Sequence, residues 1–339
     1  MTKSDSVILA IETSCDETSA AIVRNGRETL SCCIYSQIEL HKKFGGVVPE
    51  IASRKHVTKL PYMVDEALTE AGLQFGEIDV FAVTCGPGLV GALLTGVSYA
   101  KALAYYEKKP LVAVNHIEGH ISANYLTYPD LEPPFVCLVV SGGHTHIVHV
   151  KDYLSYEVLG LTRDDAAGEA FDKVARVLGL PYPGGPELEK LAKNGDAAKY
   201  SFPKGFKNET HLDFTFSGLK TAVINFMHTL DMKNEPYRKE DVAASFQKAV
   251  VEVLTENTFE AAKRQGMGRI ALAGGVSANG TLRAAFLEQA KAGGIELFLP
   301  EIRYCTDNAA MIASAAYYRY LAGEKADLRL NAYPSLALF

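Results

Sequence analysis

The sequence predicts an α/β chain built from two related lobes, on three observations. Each half opens with a short apolar strand, a polar loop and a returning strand. In the first half these are Val7 to Ile11, Glu12-Thr13-Ser14-Cys15-Asp16-Glu17-Thr18 and Ser19 to Val23; in the second they are Phe135 to Val140, Ser141-Gly142-Gly143-His144-Thr145 and His146 to Val150. Each half then holds a strand that ends in glycine just before a helix: Asp79 to Thr84 with Gly86-Pro87-Gly88, and Arg269 to Ala273 with Gly274-Gly275. Finally, 339 residues, 48% of them hydrophobic and 22% charged, suffice to bury two cores. Similarity between the halves is slight, so the duplication rests on layout.

Net charge limits the partners. At −6 the chain is not coated in basic surface, so nucleic acid must meet a local patch or a partner protein. One such patch runs from His41 to Lys59, with Lys42, Lys43, Arg54, Lys55 and Lys59 against Glu50; a solvated helix face would look the same. The cysteines at 15, 32, 33, 85, 137 and 305 form no Cys-x-x-Cys pair, which suits free thiols in a reducing cytosol. Met-Thr-Lys-Ser-Asp-Ser leads straight into a strand without an export signal, and the apolar helix Leu89 to Tyr106 carries Lys101 and several small residues. A cytoplasmic protein with no membrane association is the expectation.

Backbone N–H groups at strand-end glycines can approach a phosphate, and four glycine-bearing loops on matching sheet edges suggest a nucleotide cleft between the lobes. Between the first lobe's strands and the proline-marked break at Pro129 to Pro134 lies Asn115-His116-Ile117-Glu118-Gly119-His120. In a helix, His116 and His120 share a face and can grip one divalent metal, while Glu118 lies roughly 200° around from them. That placement weakens a metallopeptidase reading, which needs the glutamate beside the metal. Farther on, Arg163 to Leu180 reads as an amphipathic helix whose first turn holds Asp164 and Asp165, with Asp172 well inside it, and Pro181 to Pro186 reads as a rigid loop. Asp307, before an alanine-rich helix from Ala309 to Tyr320, is a helix cap or the third metal ligand.

Ten motifs in order carry a resemblance across nearly the whole chain. They are Ile-Glu-Thr-Ser-Cys-Asp-Glu-Thr at 11–18, Gly-Gly-Val-Val-Pro-Glu at 45–50, Gly-Pro-Gly at 86–88, Asn-His-Ile-Glu-Gly-His at 115–120 and Val-Ser-Gly-Gly-His-Thr at 140–145. The others are Gly-Glu-Ala-Phe-Asp-Lys at 168–173, Tyr-Pro-Gly-Gly-Pro at 182–186, Phe-Ser-Gly-Leu-Lys at 216–220, Gly-Gly-Val-Ser-Ala-Asn at 274–279 and Cys-Thr-Asp-Asn-Ala at 305–309. In these the chain resembles the bacterial TsaD family of tRNA N6-adenosine threonylcarbamoyltransferases. The resemblance implies an actin-like, sugar-kinase-like (ASKHA) fold, with one lobe at 1–128 joined by a C-terminal helix at 308–339 and the other at 135–307. It implies transfer of a threonylcarbamoyl group from threonylcarbamoyl-AMP to N6 of the adenosine 3′ of the anticodon in tRNAs reading ANN codons, with release of AMP. It makes His116, His120 and Asp307 the metal ligands, and Val139, Val140, Ser141, Gly142, Gly143, Asp172, Gly185 and Asn279 the substrate contacts. The family's further aspartate is Glu189 here. Partners are tRNA, a TsaB-like paralogue and a TsaE-like ATPase.

The chemistry asks for positioning rather than for a nucleophile, since a carbamoyl-adenylate is already an activated anhydride. A base must take the proton of the adenine amine, and Asp16 and Glu17 in the first hairpin loop are the candidates. Imidazole with carboxylate suits one transition metal per subunit, Fe(II) first and Zn(II) as the alternative, better than magnesium. Three other functions compete. The metallopeptidase predicts proteolysis, an actin-like phosphotransferase or ATPase predicts nucleotide turnover, and a non-catalytic scaffold predicts loss of the histidines and glycine loops, which are intact.

Overall fold

The structure is a computed structural model that describes residues 5–206 and 211–338. Its chain divides into two compact units: Met1–Pro133 with Lys151–Tyr156 and Pro300–Phe339, and Pro134–Val150 with Glu157–Leu299. The boundaries differ from the expected lobes. Residues 300–307, assigned from sequence to the second lobe, pack in the first, where Tyr304 is buried and its hydroxyl meets Thr29 Oγ1 at 2.9 Å.

In the first unit, β1 (Val7–Glu12), β2 (Glu17–Arg24) and β3 (Glu28–Ser36) form an antiparallel meander, followed by the short α1 (Ile38–His41) and the long α2 (Pro49–Ala71). Next come β4 (Val80–Gly86), α3 (Val90–Glu107), β5 (Leu111–Asn115) and α4 (His116–Thr127), with β4 parallel to both β1 and β5. The sheet order is β3-β2-β1-β4-β5. Every residue of β4 is buried, as expected of a central parallel strand covered on both faces.

The second unit contains β6 (Phe135–Val140), β7 (Thr145–Asp152) and β8 (Ser155–Leu161), then α5 (Ala167–Val177), α6 (Gly184–Ala192), α7 (Ser217–Lys233) and α8 (Lys239–Arg264). It ends with β9 (Arg269–Ala273), α9 (Gly280–Gly293) and β10 (Glu296–Phe298). Read from its antiparallel edge, this sheet runs β8-β7-β6-β9-β10 and repeats the order of the first, so the duplication inferred from layout is present in the strand topology. The chain then rejoins the first unit as α10 (Ala309–Leu321).

Three local expectations change. The helix expected over 163–180 begins only at Ala167, whose N–H donates to Thr145 Oγ1 (2.9 Å). Asp164 caps another helix instead, accepting from the N–H groups of Phe216 (2.8 Å) and Ser217 (3.3 Å) where α7 starts. Short aspartate side chains favour such caps over helix interiors. The loop expected over 181–186 turns helical at Gly184, because Asp172 Oδ1 accepts from the N–H groups of Gly184 (2.8 Å) and Gly185 (3.2 Å) and so caps α6. The helix expected just after Gly274-Gly275 starts only at Gly280, after a single 3-10 turn at Gly275–Ala278.

Candidate metal centre and adenylate loops

The imidazoles of His116 and His120 are set by the start of α4. Asn115 ends β5 and caps the helix by accepting the Ile117 N–H (2.8 Å), so both histidines fall in the first two turns. Asp307 directly precedes Asn308, which caps α10 by accepting the Met311 N–H (2.9 Å). The Nε2 atoms of His116 and His120 lie 3.5 and 3.3 Å from one oxygen, Oδ1 of Asp307. One donor atom from each of the three falls within 4.8 Å of the others. An ion bonded at about 2.0–2.1 Å in tetrahedral geometry would hold its donors about 3.4 Å apart, so these spacings fit a metal. His120 is fully buried, and apart from the approach of Nε2 to Asp307 neither ring nitrogen has a hydrogen-bond partner, a costly arrangement unless something binds there.

Glu12 orients His116. Its Oε2 sits 3.1 Å from His116 Nδ1 and accepts from Thr84 Oγ1 at 2.6 Å, and Ser14 Oγ lies 3.3 Å from the same Nδ1. A hydrogen bond at Nδ1 leaves Nε2 facing Asp307, the arrangement by which carboxylates fix metal-binding histidines. Burial alone would lower the His116 pKa, but the charges of Asp307 and Glu12 and the Glu12 hydrogen bond hold it up at about 9. Burial would raise Glu12, and the His116 charge and hydrogen bond keep it below the usual carboxylate range. His120 is lowered, by burial and by the His116 charge. The only sign of Glu12 in the sequence is a lone carboxylate closing an apolar strand. Glu118 points away, as the helical spacing required, and is paired with Arg319.

Asp16 and Glu17 follow in the hairpin loop. Asp16 is buried and its Oδ2 has no hydrogen-bond partner. Burial, followed by the neighbouring Asp16 charge, raises Glu17 well above the carboxylate range, and its Oε1 accepts from Ser36 Oγ (3.1 Å).

In the second unit the expected substrate residues lie along a connected set of turns. Val139 and Val140 are buried in β6. Ser141 donates its N–H to the His144 carbonyl (2.8 Å), which leaves Gly142 and Gly143 exposed at the tip with open space where a side chain would be. A Cβ on Gly168 would stand 2.6 Å from the Ser141 carbonyl, so this glycine seats the loop on α5. One helical turn on, Asp172 holds the N-terminus of α6, and Glu189 of α6 accepts the Gly280 N–H (2.9 Å) at the start of α9. Asn279 caps α9 by accepting the Leu282 N–H (2.9 Å), and its amide donates to Gln247 Oε1 (3.0 Å). Gln247, buried in α8, had no visible sequence signal. Asp172, Glu189 and Asn279 thus all have structural bonds, while Gly185 and Gly275 have no atom closer than 3.9 Å to a built Cβ. The Gly86-Pro87-Gly88 loop differs: a Cβ on Gly86 or Gly88 would meet the Tyr333 or Ser14 carbonyl at 2.0 or 2.6 Å, so the protein itself fills the space expected for phosphate.

The basic patch is partly neutralised. Lys42 pairs with Glu39 and Arg54 with Glu50, whereas Lys55 and Lys59 lie over the Tyr35 ring at 5.6 and 4.5 Å. Among the described residues no helix is long and apolar enough to cross a membrane, and the six cysteines are free thiols.

Comparison with solved structures gives the fold. The chain resembles full-length HypF in its phosphate- and nucleotide-bound form, with a TM-score of 0.65 at 15% identity; the match covers 96% of this chain and 48% of that one, so this chain spans about half of HypF. It also resembles component A of the Acidaminococcus fermentans (R)-2-hydroxyglutaryl-CoA dehydratase, with a TM-score of 0.54 at 13% identity over 94% of this chain and all of that one. With the two matching sheets, these place the chain in the actin-like (ASKHA) fold class. In sequence it is 59% identical to the tRNA N6-adenosine threonylcarbamoyltransferases of Clostridium perfringens, over 332 residues, and of Clostridium novyi, over 335, covering 98% of each chain. The model of the TsaD family, tRNA N6-adenosine threonylcarbamoyltransferase, matches residues 28–314. The chain therefore belongs to the TsaD family of tRNA N6-adenosine threonylcarbamoyltransferases.

Proposed function

We propose that the threonylcarbamoyl donor is threonylcarbamoyl-AMP, that the acceptor is N6 of the adenosine 3′ of the anticodon in tRNAs reading ANN codons, and that AMP is released. The observation that carries the chemistry is the approach of two buried imidazoles to one carboxylate oxygen, at 3.5 and 3.3 Å. His116, His120 and Asp307 would hold one divalent metal, iron first and zinc as the alternative. When bound, it supplies a Lewis acid or an anchor for the threonyl carboxylate. Glu12 keeps a proton on His116 Nδ1 so that Nε2 remains a donor. In the second unit, Ser141, Gly142, Gly143 and Gly185 offer backbone N–H groups and open space to the adenylate, and Asp172, Glu189 and Asn279 keep those turns in place or meet its hydroxyls.

Of the two candidate bases, we favour Asp16. It carries a buried oxygen without a partner, whereas Glu17, raised by burial and by the Asp16 charge, tends to stay protonated. The adenine amine is a weak nucleophile, so removal of its proton as the bond forms is where this carboxylate would act. The setting is the cytoplasm, and a TsaB-like paralogue and a TsaE-like ATPase would help hold tRNA that a chain of net charge −6 attracts poorly. The test supplies threonylcarbamoyl-AMP and unmodified tRNA to the chain, with and without those partners, and measures the modified nucleoside by mass spectrometry. Product that appears with the adenylate and is lost in Asp16→Asn supports the assignment; no product in any combination ends it.

A further inference from the structure

Glu118 sits on the face of α4 opposite the histidines, yet it is fully buried. A carboxylate is rarely buried without a partner, and this one has a two-toothed partner in the last turn of α10. Arg319 Nε lies 3.0 and 2.8 Å from its two oxygens, and Nη2 lies 2.6 Å from Oε2. Arg319 also reaches Glu324 through Nη1, and Tyr156 contacts the Glu118 carboxylate.

The helices joined by this pair are the one that carries both histidines and the one that Asp307 leads into. Their contacts advance together: Gly119 meets Ile312 and Met311, the Ser122 carbonyl accepts from Ser314 Oγ (3.2 Å), and the Tyr125 and Tyr318 rings stand 5.4 Å apart. The helices are therefore parallel, with the histidines near the start of one and Asp307 just ahead of the other. Most of the seam is alanine, glycine and aliphatic side chains, close-packed by contacts that carry no direction of their own. A forked guanidinium on a carboxylate adds hydrogen bonds that are directional, and so constrains both the height and the rotation of one helix on the other.

We propose that Glu118 and Arg319 are a positioning pair that fixes the register of α4 against α10 and thereby the distance from His116 and His120 to Asp307. The pair touches neither metal nor substrate. This rests on the metal reading of the three ligands, and the test separates the two. Co(II) alone is titrated into the purified chain while its visible absorption, dissociation constant and melting temperature are followed. Glu118→Gln and Arg319→Lys each keep size and hydrogen-bonding groups, and Glu118→Leu/Arg319→Met replaces the ion pair with apolar packing.

The expected result is Co(II) binding weakened about tenfold or more in each, with a changed absorption band, as when groups that orient metal ligands are altered. The apolar double variant should melt near the parent and still bind Co(II) weakly. A folded variant with the parent's affinity and spectrum would overturn the pair's role. Failure of all three to fold would also overturn it, by making the pair a general stability element. A parent that binds no Co(II) would overturn the metal reading and this inference together.

Discussion

His116 can serve a metal only with its proton on Nδ1, and Glu12 is the residue that puts it there. Glu12→Gln keeps the shape but can present its amide N–H to Nδ1, which favours the other tautomer. The expected outcome is metal affinity lower by about tenfold to a hundredfold with the fold retained, checked by titration and circular dichroism. His56 gives a prediction independent of the metal. It is buried, with Nδ1 2.8 Å from Thr18 Oγ1 and Nε2 2.9 Å from the Cys15 carbonyl, and burial lowers its pKa. The unfolded chain titrates near ~6.5, so it takes up the proton first as pH falls; the contribution is complete above ~6.5 and is lost as pH drops toward the folded value. Melting temperature should fall between pH 7.5 and 5.5, with a shallower slope in His56→Gln. Equal slopes would remove His56 from the account. At this scale the sequence showed the candidate ligands, because histidines four apart and an aspartate before a helix have recognisable spacing. It hid Glu12 and Gln247, because a side chain that orients another across the fold leaves no local pattern.

At the scale of elements, the glycines divide into those the protein needs for its own packing and those it leaves open. Gly168 belongs to the first kind, since its Cβ would strike the Ser141 carbonyl at 2.6 Å. Gly168→Ala should cost about 1–3 kcal/mol and displace the Ser141–Gly143 loop, seen as a lower melting temperature together with weaker AMP binding. Gly185 belongs to the second, with only Phe171 Cβ at 3.9 Å. Gly185→Val should melt within a few degrees of the parent and bind AMP more weakly, by calorimetry. Unchanged AMP binding would place the nucleotide elsewhere. The sequence could not sort these glycines, because Gly-Pro-Gly at 86–88 and Gly-Gly at 142–143 both read as open turns at a strand end, and only the packing of Tyr333 and Ser14 fills the first. The central strands were legible as apolar runs. The outer β3 and β8, half exposed and polar in part, lack that run and leave no strand signal in the sequence.

For the whole molecule, duplication was readable from two hairpins and two glycine turns, while the boundary at 299/300 was not, because Tyr304 and Asp307 join the first unit by long-range packing. Charge acts at this scale too. Lys55 and Lys59 lie over the Tyr35 ring rather than on a carboxylate, and reversing both to glutamate should weaken tRNA binding and flatten its salt dependence without touching AMP binding. Unchanged tRNA affinity would make the patch a solvated face. The central claim is that His116, His120 and Asp307 hold a catalytic metal. Elemental analysis of the parent, His116→Ala, His120→Ala and Asp307→Ala, each with its melting curve and transferase rate, tests it most directly. The account predicts one transition metal per parent chain, loss of metal and activity in each variant, and melting that stays cooperative. A fully active parent without stoichiometric metal would contradict it, and variants that unfold on losing the metal would make the site structural.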